Sequence, residues 1–529
     1  EHKSFQASAI PVQVQALSDP NQPVRFQAFD QLHALGLPAE QLGAEAIESG
    51  HTDLGVKGLN LITEGATPAA GRKVLEEVMT SRTDNLALEA ARILRETHDP
   101  VEIAGKALEA IWDRMRMQAV NWLSADYQTD ATQKKEKDQA AKAQKQLVAA
   151  LGSRYREVRK AAAIELARKK DPAAFDALIE LLQETPTAAI IGALETLGDE
   201  RTPDAFLDRV ENDPAGEAPA KELIKAAGRF RQKKTADRLL KMMETSKARY
   251  ACHEAVWCIA GYDQPNIELN ELMTYHEVRG WIPRDPAEMD TVIDSEWEKK
   301  QHPRHDDVLA NLMEKCLELG EVNSLKYTIE QARWSRGKAV DSVLAVLATH
   351  SDDALRRDVL EALGWRLKHR EGSPDPLLKA LEHRDPNTKF LAAEGLAKSG
   401  RDEGISVLLS AVDLMDDMFL RERAVLALGE LADERALEVL LRLANDEELG
   451  LQDVAAEALG HLGQSDKAED IFKLLERFAK TDGSAGEFAL RGLRFFDTPS
   501  AWKLIREKAA NRSAWIQEIA VELLAEDDD

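Results

Sequence analysis

Residues 392–400 read AAEGLAKSG, residues 424–432 AVLALGELA, residues 455–463 AAEALGHLG and residues 488–496 FALRGLRFF. The leucines in register are Leu396, Leu428, Leu459 and Leu493, at steps of 32, 31 and 34 residues. A polar turn and a second apolar helix follow each block, as in DERALEVLLRLA from Asp433. A helix pair repeated at this interval cannot bury its apolar face alone, so it stacks on its neighbours. The expectation is an all-α chain, an α-solenoid or superhelix.

The register extends backward to Leu363 and, in the first half of the chain, through Leu32, Leu59, Ala91, Trp122, Leu166, Leu194, Ala227 and Trp257. That makes about thirteen or more helix pairs, with degenerate units between them. Near the N-terminus, Asp19 or Asn21 supplies a cap, Pro20 and Pro23 sit at the helix start, and Val24, Ala28 and Leu32 share one face. Ala and Gly at the helix contacts let backbones approach. Gly36, Gly198, Gly400 and Gly463 stand where the first helix of a pair ends, which suits a left-handed cap.

Two places break the period. Residues 123–150 include QKKEKDQAAKAQKQ from Gln133, read as an extended exposed helix or a lysine-rich loop. The larger break runs from Tyr262 to about His305, where Pro265, Pro283, Pro286 and Pro303 argue against regular helix pairs. The expected organisation is therefore N-terminal repeats over 1–130, central and locally basic repeats over 131–261, an irregular insertion over 262–305, and C-terminal repeats over 306–529.

Certain residues carry a family resemblance. Asp19-Pro20, Val24-Arg25, Ala28, Leu32 and Leu35-Gly36 resemble the first helix and turn of a HEAT repeat. So do Val158-Arg159 with Ala162 and Leu166, Asp385-Pro386 with Ala392 and Leu396, and Arg421 with Ala424, Leu428 and Gly429. The short spacing resembles the compact bacterial class with phycobilin-lyase-like repeats. The resemblance implies a fold and says little of function, because the pattern residues are packing residues.

Composition narrows the function classes. The 529 residues carry a formal net charge of -25 and only 5% aromatics. An acidic surface repels nucleic acid and anionic membranes by default. No run of 18 apolar residues occurs, so no segment reads as a membrane span. Residues 131–250 depart from the trend, with 24 Lys+Arg against 19 Asp+Glu. Cys252, Cys258 and Cys316 do not form a disulfide framework, which fits a cytoplasmic, reducing compartment. The chain begins at Glu1 without Met, so a processed exported form stays open.

Catalytic templates do not fit. No phosphate-binding loop or nucleophile elbow is present, and no thiol has an evident base partner. Cys252 and Cys258 enclose five residues, unlike a zinc knuckle. His253-Glu254 and His276-Glu277 lie 23 residues apart and out of repeat register, which rules out the symmetric metal pair of deoxyhypusine hydroxylase-like repeats. No metal, cofactor or catalytic residue is assigned.

The expectation is a non-catalytic scaffold or adaptor that binds one or more proteins on its concave face. Candidate contacts are Arg229, Arg231, Lys233 and Lys234 of the basic stretch, and Tyr275, Trp281, Arg284 and Trp297 of the insertion. Trp, Tyr and Arg are the side chains most enriched at binding hot spots. The alternatives are a bilin lyase-like cofactor-attachment factor, from the resemblance, and a nucleic-acid-binding solenoid using the central basic region.

Overall fold

The computed structural model describes residues 10–65, 68–128, 133–213, 219–245, 247–261, 304–333, 335, 337–369, 372–446, 450–481, 484–496, 498–510 and 514–525. Every regular element among them is helical. None of these helices is long and apolar enough to cross a membrane. The chain divides into two compact units, Glu1–Phe230 and Arg231–Asp529.

The Pro386–Lys398 helix shows why the sequence folds this way locally. Asp385 caps it, accepting from the Thr388 amide at 2.9 Å, and Pro386 supplies a preset first turn. Lys398 lies in the last turn, where a cation complements the helix dipole. Gly400, at φ 75°, then turns the chain into the next helix. Phe390, Ala393, Leu396 and Ala397 are buried along the way. Burying one such large apolar side chain contributes roughly 1.5–3 kcal/mol. Leu428, Leu459 and Leu493 are likewise fully buried.

In the first unit, helices alternate between two rows. One row holds Gln22–Ala34, Thr52–Gly65, Asn85–Thr97, Asp113–Asp126, Arg156–Arg168, Ala188–Leu197 and Ala220–Arg229. The other holds Ala39–Glu48, Pro68–Ser81, Pro100–Ala107, Lys134–Ala150, Ala174–Glu184 and Thr202–Glu211. Chain neighbours pack together along most of the unit, and Thr52–Gly65 with Asn85–Thr97, Arg156–Arg168 with Ala188–Leu197, and Ala39–Glu48 with Pro68–Ser81 also meet along a row. The core is thus a linear spine and not a central mass.

An arginine ladder ties successive repeats. Arg25 donates to the carbonyls of Asp19 and Pro20 and reaches Asp53 of the next repeat at 2.5 Å. Arg116 donates to the Ala110 and Ile111 carbonyls at 2.8 Å and pairs with Glu157. In the second unit, Arg249 donates to the Met243 carbonyl and pairs with Glu321, both at 2.7 Å. Arg25 and Asp53 are 28 residues apart, whereas Arg249 and Glu321 are 72 apart and stand in the same relation. The excess falls at 262–303. His305 N donates to Ala260 O at 3.0 Å, so the chain re-enters the stack where it left it.

Three local expectations are corrected. Trp122 is half-buried with Arg95 over its ring at 4.6 Å, and Leu123 fills the core position. The lysine-rich stretch forms the Lys134–Ala150 helix, whose Ala140, Ala143, Leu147 and Ala150 are buried, so it is neither loop nor fully exposed. Gly36, Gly198 and Gly400 have positive φ, but Gly463 does not. A Cβ on Gly463 would meet the Phe496 ring at 3.0 Å, so close packing selects glycine there.

Candidate binding groove

In the second unit, one row comprises Arg249–Ala260, Val322–Ala332, Asp353–His369, Pro386–Lys398, Met418–Leu431, Gln452–Gly460, Ser484–Leu493 and Ala514–Ala525. The register read from sequence passes over Val322–Ala332 and Ala514–Ala525. Small residues draw this row together. A Cβ on Gly364 would stand 2.8 Å from the Gly395 backbone, and one on Gly429 would stand 2.6 Å from that of Ala458.

The row is concave between Asp353 and Leu431. Lys368 Nζ lies 3.1 Å from Glu430, and Arg423 lies 3.3 Å from Glu361. Each pair skips the intervening Pro386–Lys398 helix. Two side chains do not bridge two helix spacings of about 8–10 Å each on a flat face. The curve encloses a groove of about 1040 Å³, lined from Val322–Ala332, Asp353–His369, Pro386–Lys398 and Met418–Leu431.

Aromatic side chains stand in this groove. Tyr327 is 50% exposed and Phe419 62% exposed, while Trp365 is half-buried. Tyr327 also rests against Trp257 of the preceding helix, with ring centroids 5.0 Å apart. Between the aromatics the charges are matched. Glu394, only 4% exposed, holds Arg423 at 2.5 Å and Lys398 at 2.9 Å. Burial works against the charge on Arg423, but the hydrogen bonds and charges of Glu394 and Glu361 together outweigh it and raise the pKa above its ordinary value. Arg366, 1% exposed, secures the wall behind Trp365 by donating to Asp341 at 2.7 Å and to the Ala332 carbonyl at 2.8 Å.

The basic residues singled out in the sequence are placed differently. Arg229 ends its helix in the first unit and pairs with Glu195 at 2.6 Å. In the second unit, Arg231 adopts φ 53° and donates to the Cys258 carbonyl at 2.6 Å. Lys233 pairs with Asp307, and Lys234 is exposed in the same first turn. These contacts already engage Arg229, Arg231 and Lys233 within the chain. Tyr275, Trp281, Arg284 and Trp297 lie outside the described residues, as does His276-Glu277.

His253 is buried between Tyr250 and Trp257, with near-parallel rings at 6.2 and 6.3 Å. Burial lowers its pKa, against the nearby charges of Glu254 and Glu321. Cys252, Cys258 and Cys316 are free and buried, and burial pushes the Cys316 thiol up to about 12. Among the described residues no His, Cys, Asp and Glu side chains gather in a metal-binding group.

Residues 144–220, 340–421 and 415–486 match the family model of HEAT repeats. No curated protein matches the chain. Among solved structures, an engineered protein aligns with 81% of this chain and 99% of its own, at 17% identity and a TM-score of 0.27. The karyopherin Kap121p bound to Nup53p aligns with 98% of this chain, at 13% identity and a TM-score of 0.38. This chain spans 56% of that Kap121p chain. Importin beta aligns with 99% of this chain and 79% of its own, at 13% identity and a TM-score of 0.30. The matched segments, the paired helices and the row-by-row stacking agree: residues 144–220 and 340–486 are built of HEAT repeats.

Proposed function

We propose that this chain is a non-enzymatic scaffold that binds a partner protein along the inner face of its C-terminal repeats. One observation carries the reading: the groove between Val322 and Leu431 exposes Tyr327 and Phe419 above a floor of matched ion pairs. An exposed aromatic in a preformed concavity supplies contact area at little entropic cost, and the repeat stack has already ordered the backbone. Ion pairs centred on the buried Glu394 brace the groove. Neighbours in fold include karyopherin chains described as bound to protein partners, which accords with this use of a helical array.

The sequence also points to residues 262–303 and to the basic cluster as contacts. We assign these a role secondary to that of the groove. The test uses the native complex recovered with the full chain. Phe419→Ala should weaken recovery strongly, while charge reversal at Arg229 and Lys233 should weaken it little. Because Ala260 O and His305 N meet at 3.0 Å, replacing 262–303 by a short glycine linker should leave the stack folded. Undiminished recovery by Phe419→Ala and Tyr327→Ala would remove the groove from the account.

A further inference from the structure

A second cleft, of about 330 Å³, lies within the second unit between the starts of two inner-row helices, Arg249–Ala260 and Val322–Ala332. That volume is at the lower end of the range of small-ligand sites. The cleft shares no lining residue with the groove. Its two helices run the same way, since Arg249 meets Glu321 at their starts and Trp257 meets Tyr327 farther along. Neither start has a side-chain cap, at Ala248 or at Glu321. Elsewhere in the row a carboxylate accepts from first-turn amides, as Asp385 and Asp417 do. Such amides lack intrahelical acceptors and carry the positive end of the helix dipole.

The side chains point to an anion. His253 lines the cleft at 4% exposure, and both its ring nitrogens are buried without a hydrogen-bond partner. Burial lowers its pKa against the charges of Glu254 and Glu321, so the ring is neutral, with one N–H donor and one acceptor. Leaving both unmatched in the interior is costly, and a ligand that meets them recovers the loss. Glu321 also lines the cleft, but Arg249 holds it at 2.7 Å and is itself engaged with the Met243 carbonyl. Glu254 does not line it. Lys247 is exposed and, among the described residues, in no ion pair, so the one unmatched charge of the cleft is positive. Ser324, half-buried on the second helix, adds a hydroxyl. A carboxylate only accepts hydrogen bonds. A phosphate has oxygens enough for both helix starts and Lys247, and in its singly protonated form it also donates.

We infer that this cleft binds a phosphate group, held by Lys247, His253, Ser324 and the first-turn amides of the two helices. The group is carried either by the free ion or by a small phosphomonoester, and one titration separates the two. The site stands independently of the groove and of the partner proposed for it.

The full chain is titrated at neutral pH with inorganic phosphate and with phenyl phosphate, and with phenylacetate and benzylammonium as the carboxylate and cation controls. Calorimetry reads affinity. The ring signals of nitrogen-labelled histidine read the place, with the His253 signal identified by its loss in His253→Phe. A phosphate should saturate a single site and move the His253 signal in step. Tighter binding of phenyl phosphate identifies a monoester, and equal binding identifies the free ion. Lys247→Ala, at an exposed position, and His253→Phe, which keeps a buried ring, should each weaken binding by about tenfold or more. Phe419→Ala should leave it unchanged. Absence of saturable phosphate binding, an unmoved His253 signal, undiminished affinity in Lys247→Ala, or preference for phenylacetate or benzylammonium would overturn the inference. If His253→Phe fails to fold, Lys247→Ala decides the outcome.

Discussion

The inner row of the second unit is open between Val322 and Leu431 and closed between Gln452 and Phe496. In the open part, aromatics point into a groove of about 1040 Å³ and buried charges brace its floor. In the closed part the same kinds of residue pack on one another. His461 stacks on Phe495 with ring centroids 3.7 Å apart, and Phe472 meets Phe496 edge-on at 5.6 Å. A Cβ on Gly460 would come within 2.2 Å of the Gly492 carbonyl oxygen. One repeat pattern therefore yields two surfaces. Side chains off the buried register decide which: rings packed on one another between 461 and 496 fill the face, whereas Tyr327 and Phe419 stay half or more exposed.

The largest expected effect breaks the open part. Arg366→Ala leaves Asp341 and the Ala332 carbonyl without their buried donor, and should cost about 3–5 kcal/mol. Hydrogen exchange should localise the loss to residues 322–369, while 452–493 keeps its protection. Repeat arrays open locally, so a regional readout is the appropriate one. The next effect breaks the closed part. Gly460→Val forces the Gln452–Gly460 and Ser484–Leu493 helices apart and should cost about 2–3 kcal/mol by overpacking. Exchange should then rise at 452–493 and stay unchanged at 353–398.

Acid should separate the two parts. Burial is the main cause that lowers His461 to about 4, with Arg494 and Lys368 lowering it further and Glu430 opposing them. A histidine depressed in the folded state contributes stability that is full above its unfolded value of 6.5. That stability is lost as pH falls from there toward 4. Asp385 caps a groove helix. Burial alone would raise its pKa, but bonds from Thr388 and Asn387 and the charge of Arg356 hold it below 3.8. Its contribution persists until pH falls below that range. Exchange measured from pH 7 downward should thus show 452–496 loosening first, and His461→Phe should remove that difference. Smallest of all, Phe419→Ala should shift stability by less than about 0.5 kcal/mol, because an exposed site buries little, while impairing partner binding. A melting curve beside a binding curve separates those outcomes.

The stack was legible because its signal is periodic. Leu396, Leu428, Leu459 and Leu493 fall one repeat apart and all reach the core. Trp122 misled because a large ring resembles a core residue in one-dimensional register, yet it lies beside Arg95 while Leu123 is buried. The groove was not legible. Tyr327, Trp365 and Phe419 come from three helices up to 92 residues apart, and nothing local marks them as neighbours. A faint signal exists, since Phe419 and Tyr327 are large aromatics off the buried phase of otherwise regular helices. The basic cluster was legible as composition only. The acids that match Arg229 and Lys233, Glu195 and Asp307, are 34 and 74 residues away.

Phe419 on the inner row and Val346 on the Lys338–Leu347 helix, which alternates with that row, are each 62% exposed, so accessibility does not distinguish them. A photo-reactive amino acid at either position, in the full chain within its native complex, compares the two faces directly. Crosslinks to a partner at 419 and not at 346 are the predicted result. Equal crosslinking at both positions, or crosslinking at 346 alone, would contradict the account.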